Sequence, residues 1–413
     1  MKQILKDVLV SITPNKEDLW VVKAVQTFLK DLALELKTRK LNAKPILGGS
    51  FAKDTWLRGD YDVDVFVAFD MKYQADDLSA MLERALKRWK PMRVHGSRDY
   101  FKLKSKINFE IIPVLAIKTA KHAQNVTDFS PKHVTWVNSN GKKYKNDIRL
   151  FKQFCKAQRI YGAESYIRGF SGHVVDILVI YYKGFIPLLK AAAKWKPLEK
   201  TVLDYYKEYK GQALMHLNES KIQGPLVVVD PVQPNRNAAA AIEQKPFLGL
   251  INSAKSFLKK PGAHFFVEQK LDAKAIAAEK KRGTIVLAAT TINEKEDIAG
   301  SKMVKALEFL KRELEHHDFT LKNAWWEWDK KKHALFLLTT KEKVLSAKML
   351  RKGPPKAMEK DSKAFKKKYK NAKVVKGKLV ATVKRQYRKP HDVVKHALKN
   401  DYLKDKLVSI RLL

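Results

Sequence analysis

The chain has 413 residues, 45% of them hydrophobic, with 83 Lys and Arg against 43 Asp and Glu, a formal net charge of +40. Eight Trp, fourteen Tyr and nineteen Phe exclude wholesale disorder, and the length suits about two to four domains. So large a positive excess calls for a polyanion, and a membrane span is excluded because the longest apolar run, 174–182, holds Asp176 and falls short of about 20 residues.

At the N-terminus, MKQILKDVLVSITP breaks its apolar positions with Lys6 and Asp7 and offers no small-residue cleavage site, so a cytoplasmic chain is expected. Over 15–39, Leu19, Val22, Ala24, Val25, Phe28, Leu29, Leu32 and Leu36 recur near one face, which predicts a structural helix packed on a sheet. Residues 48–69, GGSFAKDTWLRGDYDVDVFVAF, then organise the chain. A Gly48-Gly49-Ser50 turn precedes a strand opened by Asp62-Val63-Asp64. Strand side chains alternate, so Asp62 and Asp64 share a face, about 6–7 Å apart. Two carboxylates so placed repel each other unless cations sit between them, and the spacing suits a pair of Mg²⁺ ions beside substrate phosphates. Gly49 lets the backbone approach a phosphate, and Ser50 adds a hydroxyl. A helix over 75–89 and short strands near 91–95 and 99–113 follow. In LKSKINFEIIP, 103–113, Ile107, Phe109 and Ile111 alternate with Lys106, Asn108 and Glu110. Glu110 thus stands on the polar face near a strand end at Pro113, where it is the natural third ligand.

Residues 118–145 read as irregular and basic. A helix over 146–159 puts Arg149, Lys152 and Lys156 on one face, a stripe that is either solvated or set to bind phosphate. Its other face holds Phe151, Phe154 and Cys155, the single cysteine, which reads as a buried structural thiol. IYGAESYIRGFSG follows at 160–172, where Arg168 suits phosphate, base or an internal salt bridge. Helices are expected through 173–209, a short buried strand over 226–229 ending at Asp230, and the start of a helix after Pro234-Asn235-Arg236-Asn237. Lys259-Lys260-Pro261-Gly262 marks a boundary. Beyond it, 284–291 and 334–340 read as strands and 299–316 as a helix, with Trp325, Trp326 and Trp328 as sheet core or base-stacking surface. Residues 331–413 carry 26 basic and 6 acidic residues, yet strand pattern at 379–383 and helical pattern at 393–403 argue for a folded tail that grips phosphates through lysines such as Lys367, Lys368, Lys376 and Lys378.

GGSFAKDTWLRGDYDVDVF at 48–66, RLFKQFCKAQRIYGAESYIRGFSG at 149–172, VVDPVQPNRNAAA at 228–240 and KLVATVKRQY at 378–387 occur in one order and spacing. Through them the whole chain resembles the archaeal (class I) CCA-adding tRNA nucleotidyltransferases of the polymerase-β-like superfamily. The resemblance implies an α+β fold: a catalytic palm domain over 1–145, a mainly helical nucleotide- and tRNA-binding domain over 146–262 and a mixed α/β RNA-binding region over 263–413. It implies stepwise addition of C, C and A from CTP and ATP to the tRNA 3′ end, with two Mg²⁺ on Asp62, Asp64 and Glu110. It assigns His133, Lys152 and Tyr161 to the triphosphate beside Ser50 and Lys53, and Arg236 with Asp230 to the base. The expected macromolecular partner is tRNA, held by its acceptor/TΨC arm, and a homodimer is compatible with the resemblance. The chain departs from the pattern with Glu110 where the family has Asp, Lys53 where it has Arg, and His95-Gly-Ser-Arg-Asp-Tyr100 where His-Pro-Tyr is expected. Another nucleotidyltransferase of the poly(A) or oligoadenylate type, or an inactive tRNA-binding relative, are the alternatives.

Overall fold

Residues 62–69 form a strand, β2 (Asp62–Phe69), that sorts its side chains by parity. Val63, Val65, Val67 and Phe69 are fully buried against helices α2 (Leu19–Thr38) and α4 (Leu78–Leu86). Each contributes about 1.5–3 kcal/mol by leaving water. Asp62 and Asp64 are therefore turned to the opposite face, where Phe66 and Ala68 join Val114 in a smaller apolar cluster. The partners of β2 are β1 (Ala43–Leu47), antiparallel, and β5 (Asn108–Leu115), parallel. With β3 (Met92–Val94) and β4 (Tyr100–Lys104) they make a five-stranded sheet of order β1-β2-β5-β4-β3. The computed structural model describes residues 1–119, 122–269 and 283–413 and divides into two units, Met1–Gln269 and Lys270–Leu413.

The sheet departs from expectation in three places. Val21 is buried on α2, whereas Leu19 and Val22, placed by periodicity on the packing face, are exposed. The run 103–113 is broken by a turn, because the Ser105 hydroxyl donates to the Ile107 carbonyl and accepts from the Ile107 N–H, folding β4 back on β5. Strand β5 also runs through Pro113 to Leu115. Its last partner on β4 is Phe101, opposite Ile111, so the missing proline N–H falls where β4 no longer accompanies it.

A second core in the first unit joins α1 (Lys2–Ile12) to α5 (Ser130–Gly141), α6 (Lys145–Ala157), α7 (Gly172–Tyr181), α8 (Phe185–Ala192) and α10 (Gln244–Lys259). Phe151, Phe154, Phe170, Phe185, Phe247 and Phe257 are its fully buried rings, and Cys155 is buried among them, its thiol pushed up by desolvation. Within the stretch 118–145, residues 130–141 are helical rather than irregular: Pro131 in the first turn starts α5. Helices do not continue through 173–209 either, since β6 (Thr201–Leu203) pairs in parallel with β7 (Leu226–Val228). After Arg236 the chain forms turns rather than a helix. The Asn237 carboxamide oxygen accepts from the Val228 and Ala239 N–H groups, and its nitrogen donates to the Lys221 carbonyl. Two short helices, α3 (Gly49–Ala52) and α9 (Ala213–His216), complete this unit, which passes the Lys259–Gly262 stretch and buries Phe266.

In the second unit β8 (Thr284–Thr291), β9 (Leu321–Trp328), β10 (His333–Thr340) and β14 (Leu407–Leu412) form an antiparallel sheet of order β14-β8-β10-β9. Leu310 and Leu314 of α11 (Glu296–His316) and Val394 of α13 (Pro390–Ala397) cover it. Trp326 and Trp328 pack against this core, as sheet residues rather than a free stacking surface. A second sheet, β11-β13-β12, comprises β11 (Lys348–Pro355), β12 (Lys373–Val375) and β13 (Lys378–Lys384), with α12 (Glu359–Lys368) laid on β11 and α14 (Asp401–Lys404) leading into β14. The predicted helix at 393–403 is two helices, α13 and α14. The architecture is α+β.

Candidate active site

The β2–β5 register sets Asp62 opposite Asn108 and Asp64 opposite Glu110, so the three carboxylates share one face of two adjacent strands. The Gly48 N–H donates to the Asp64 carbonyl at 2.8 Å, pinning the Gly-Gly-Ser turn to β2. Gly49 has φ +54°, and a Cβ there would lie 1.7 Å from Asp64 Oδ2. Only glycine fits, on both counts. Asn108 donates to Asp62 Oδ1 at 2.8 Å. Glu110 accepts from Lys102 Nζ at 2.6 Å, the residue directly across the β4–β5 ladder.

Electrostatics mark this cluster as short of positive charge. Burial, followed by the Glu110 charge, raises the Asp64 pKa to about 6. Burial and the neighbouring Asp60 carboxylate also push Asp62 up, against the Asn108 hydrogen bond. Among the described residues neither Asp62 nor Asp64 forms an ion pair. Three carboxylates on one strand face, two of them with raised pKa values, are a hard-oxygen donor set that fits divalent cations.

Beneath them α6 is a staple. The basic stripe expected to be solvated or phosphate-facing is turned inward onto the segment 54–60. Arg149 donates to Asp54 at 2.6 Å and to the Trp56 carbonyl, Lys152 to the Thr55 carbonyl at 3.1 Å, and Lys156 to Asp60 at 2.6 Å. Lys152 is only 4% exposed, and burial lowers its pKa to about 8. Lys53 pairs with the buried Asp176 of α7 at 2.7 Å. Tyr161 lies under Lys156, whose Nζ is 5.6 Å from the ring centroid, and burial pushes its phenol up. Ser50 is half-buried on α3.

Asp230 is the hub of a second cluster. It is fully buried and accepts from His133 Nε2 at 3.1 Å, His173 Nε2 at 3.3 Å, Arg236 at 3.1 Å and the backbone N–H groups of Val232 and Gln233. Its pKa is held well below the usual range by the two histidines against the opposing effect of burial. His133, Asp230 and Arg236, singled out from sequence, are brought together here. His173 was missed: a lone histidine at a helix start carries no local signal, and its partner is 57 residues away. The ligand atoms of His133, His173 and Asp230 lie within 4.8 Å of one another, but the guanidinium and two N–H groups already occupy the carboxylate that a metal would need. Arg168 lies elsewhere, in a surface ion pair with Glu243. In the second unit Lys367, Lys368, Lys376 and Lys378 are all exposed. No helix among the described residues is long and apolar enough to cross a membrane.

Three family profiles match the chain: the nucleotidyltransferase domain over 29–194, the tRNA nucleotidyltransferase second domain over 146–267, and the CCA-adding enzyme C-terminal domain over 282–406. In three dimensions the chain is similar to Cid1 poly(U) polymerase, with TM-score 0.52, 16% identity, and coverage of 65% of this chain and 98% of that one. That likeness shows a shared fold. The CCA-adding enzyme of Nanoarchaeum equitans is 41% identical over 217 residues, about half of each chain (51% and 54%). Those of Sulfurisphaera tokodaii and Pyrobaculum aerophilum are each 30% identical, over 76% and 91% of this chain and 73% and 87% of theirs. Similarity that runs through all three matched regions, not only the shared catalytic fold, means that the chain belongs to the CCA-adding enzyme family.

Proposed function

We propose that this family member adds C, C and A stepwise to the tRNA 3′ end in the cytoplasm, without a nucleic-acid template, taking CTP and ATP and releasing pyrophosphate by two-metal phosphoryl transfer. The observation that carries the mechanism is the set of three carboxylates on one strand face beside a turn only glycine can make. Asp62, Asp64 and Glu110 would hold two Mg²⁺, which when bound would lower the pKa of the primer 3′-hydroxyl and neutralise charge on the α-phosphate and leaving pyrophosphate. Asn108 fixes Asp62 through its carboxamide, which orients the donor set before substrate arrives. Gly49 and Ser50 let the triphosphate approach the α3 turn, with Lys53, His133 and Tyr161 holding its charge in line for attack, and Lys152 joining them only by releasing the Thr55 carbonyl. For Lys53 this means trading its bond with Asp176 for phosphate oxygens. Arg236, held by Asp230, faces the base. Arg168, tied to Glu243, reaches phosphate only by releasing that partner. Lys367, Lys368, Lys376 and Lys378 grip the acceptor/TΨC arm by its backbone, the usual mode for A-form RNA.

The test is one incubation of the purified protein with tRNA lacking CCA, Mg²⁺, and labelled CTP or ATP. Two C and one A per tRNA is the expected product. Unlimited A addition makes it a poly(A)-type enzyme, and tRNA binding without incorporation makes it an inactive relative.

A further inference from the structure

Helix α7 carries two polar side chains three residues apart, His173 and Asp176, which place them on one face near its N-terminal end. Asp176 receives Lys53 from behind the Gly-Gly-Ser turn. His173 reaches Asp230, so one helix contacts both the turn segment and the loop that carries Arg236. The His173 and His133 rings pack with centroids 4.1 Å apart and planes tilted by 40°.

We infer that His173 is a positioning residue for base selection, holding Asp230 so that Arg236 and His133 present one rigid edge to the incoming nucleotide. The inference rests on the reading of Arg236 as the base-facing group. Asp230 Oδ2 accepts from both His173 and Arg236, at 3.3 and 3.1 Å, so the imidazole and guanidinium fix each other's acceptor. The Asp230 backbone N–H donates to the Arg236 carbonyl at 3.0 Å, closing the 230–236 loop on the same residue. His173 Nδ1 is buried with no hydrogen-bond partner. An N–H stranded there would be costly, so the proton belongs on Nε2, pointing at Asp230. Burial, which lowers the His173 pKa to about 4, agrees with a neutral ring. A neutral donor suits the place, since it orients the carboxylate without cancelling the charge that holds Arg236.

The experiment compares incorporation from CTP and UTP by the full-length protein and three variants. His173→Phe keeps a ring against His133 but removes the donor, and should lower the CTP/UTP ratio of kcat/KM about tenfold, a part of what one good base contact supplies. His173→Gln retains an N–H donor at similar reach and should restore most of the ratio. Because the ratio is taken on one preparation, it does not depend on the fraction folded, and tRNA affinity should be unchanged. A wild-type ratio in His173→Phe overturns the inference, as does an equal loss in His173→Gln. Arg236→Ala separates the two levels. If it leaves the ratio intact, the base-facing reading falls and this inference with it. If it relaxes the ratio while His173→Phe does not, only the role of His173 falls.

Discussion

Gly49 leaves room for a carboxylate oxygen and for nothing else. Gly49→Ala would force a positive φ on alanine and drive Cβ into Asp64, so we expect loss of single-turnover C addition with tRNA binding retained. Asp64→Ala should abolish incorporation of both C and A while leaving tRNA affinity within a few-fold. Turnover above about 1% of wild type, read as a ratio of rates, would refute its role as ligand. At Glu110 the charge and the reach can be separated. Glu110→Gln should slow single-turnover C addition sharply, and Glu110→Asp less, because the shorter acid keeps its charge but loses about 1.5 Å of reach. Wild-type rates in Glu110→Gln would move the third ligand elsewhere, with Asp60 the nearest acid by sequence. The aspartate pair was legible because period-2 alternation and the preceding turn are both local. Lys102 opposite Glu110 was not, since that register depends on where the chain turns between 104 and 108.

At the level of elements, α6 and α7 hold the site from below. The three basic residues of α6 were visible as a stripe, but periodicity reports a shared face and not what covers it. Acceptors on the segment 54–60 turned the stripe inward. The alanines at 238–241 carry helix propensity, and the Asn237 side chain overrides it with bonds to β7. Lys152 makes this packing testable by pH. Its pKa of about 8 in the folded protein lies below the ordinary 10.5, so the native state loses this proton first. Below about pH 8 both states are protonated and the burial penalty is felt in full. Between the two values the unfolded chain binds more protons, so this group's contribution to stability must rise with pH. The Tm of wild type relative to Lys152→Met should therefore climb from about pH 8 to pH 10, and a flat difference would show that Lys152 is not desolvated.

Over the whole molecule the positive excess is unevenly spread, and the segment 331–413 carries much of it on a folded scaffold rather than a loose tail. Deleting that segment would remove β10 and β14 from the four-stranded sheet, so weakened tRNA binding could not be separated from failure to fold. Substituting Lys367, Lys368, Lys376 and Lys378 together with Gln is the cleaner test, because all four are exposed. Affinity for tRNA should fall, and the slope of log K against log salt should flatten by about 1 for each phosphate no longer neutralised. An unchanged slope would place the grip elsewhere. The sheet elements β8, β10 and β13 were legible as short runs of apolar and β-branched residues. β14 was not, because its pairing with β8 is a long-range choice that local pattern does not encode.

That pairing sets an order of events during synthesis. β8 ends at Thr291 and is flanked by β10 on one side, while its other neighbour begins only at Leu407. As the chain leaves the ribosome, β8, β9 and β10 can assemble early, with a backbone edge of β8 left unpaired until almost the whole second unit has been made. An unpaired edge of this kind is a template for strands of other chains. Released chains truncated before residue 407 should therefore be more prone to protease cleavage and to association than those that run through residue 412, although they differ by a single strand.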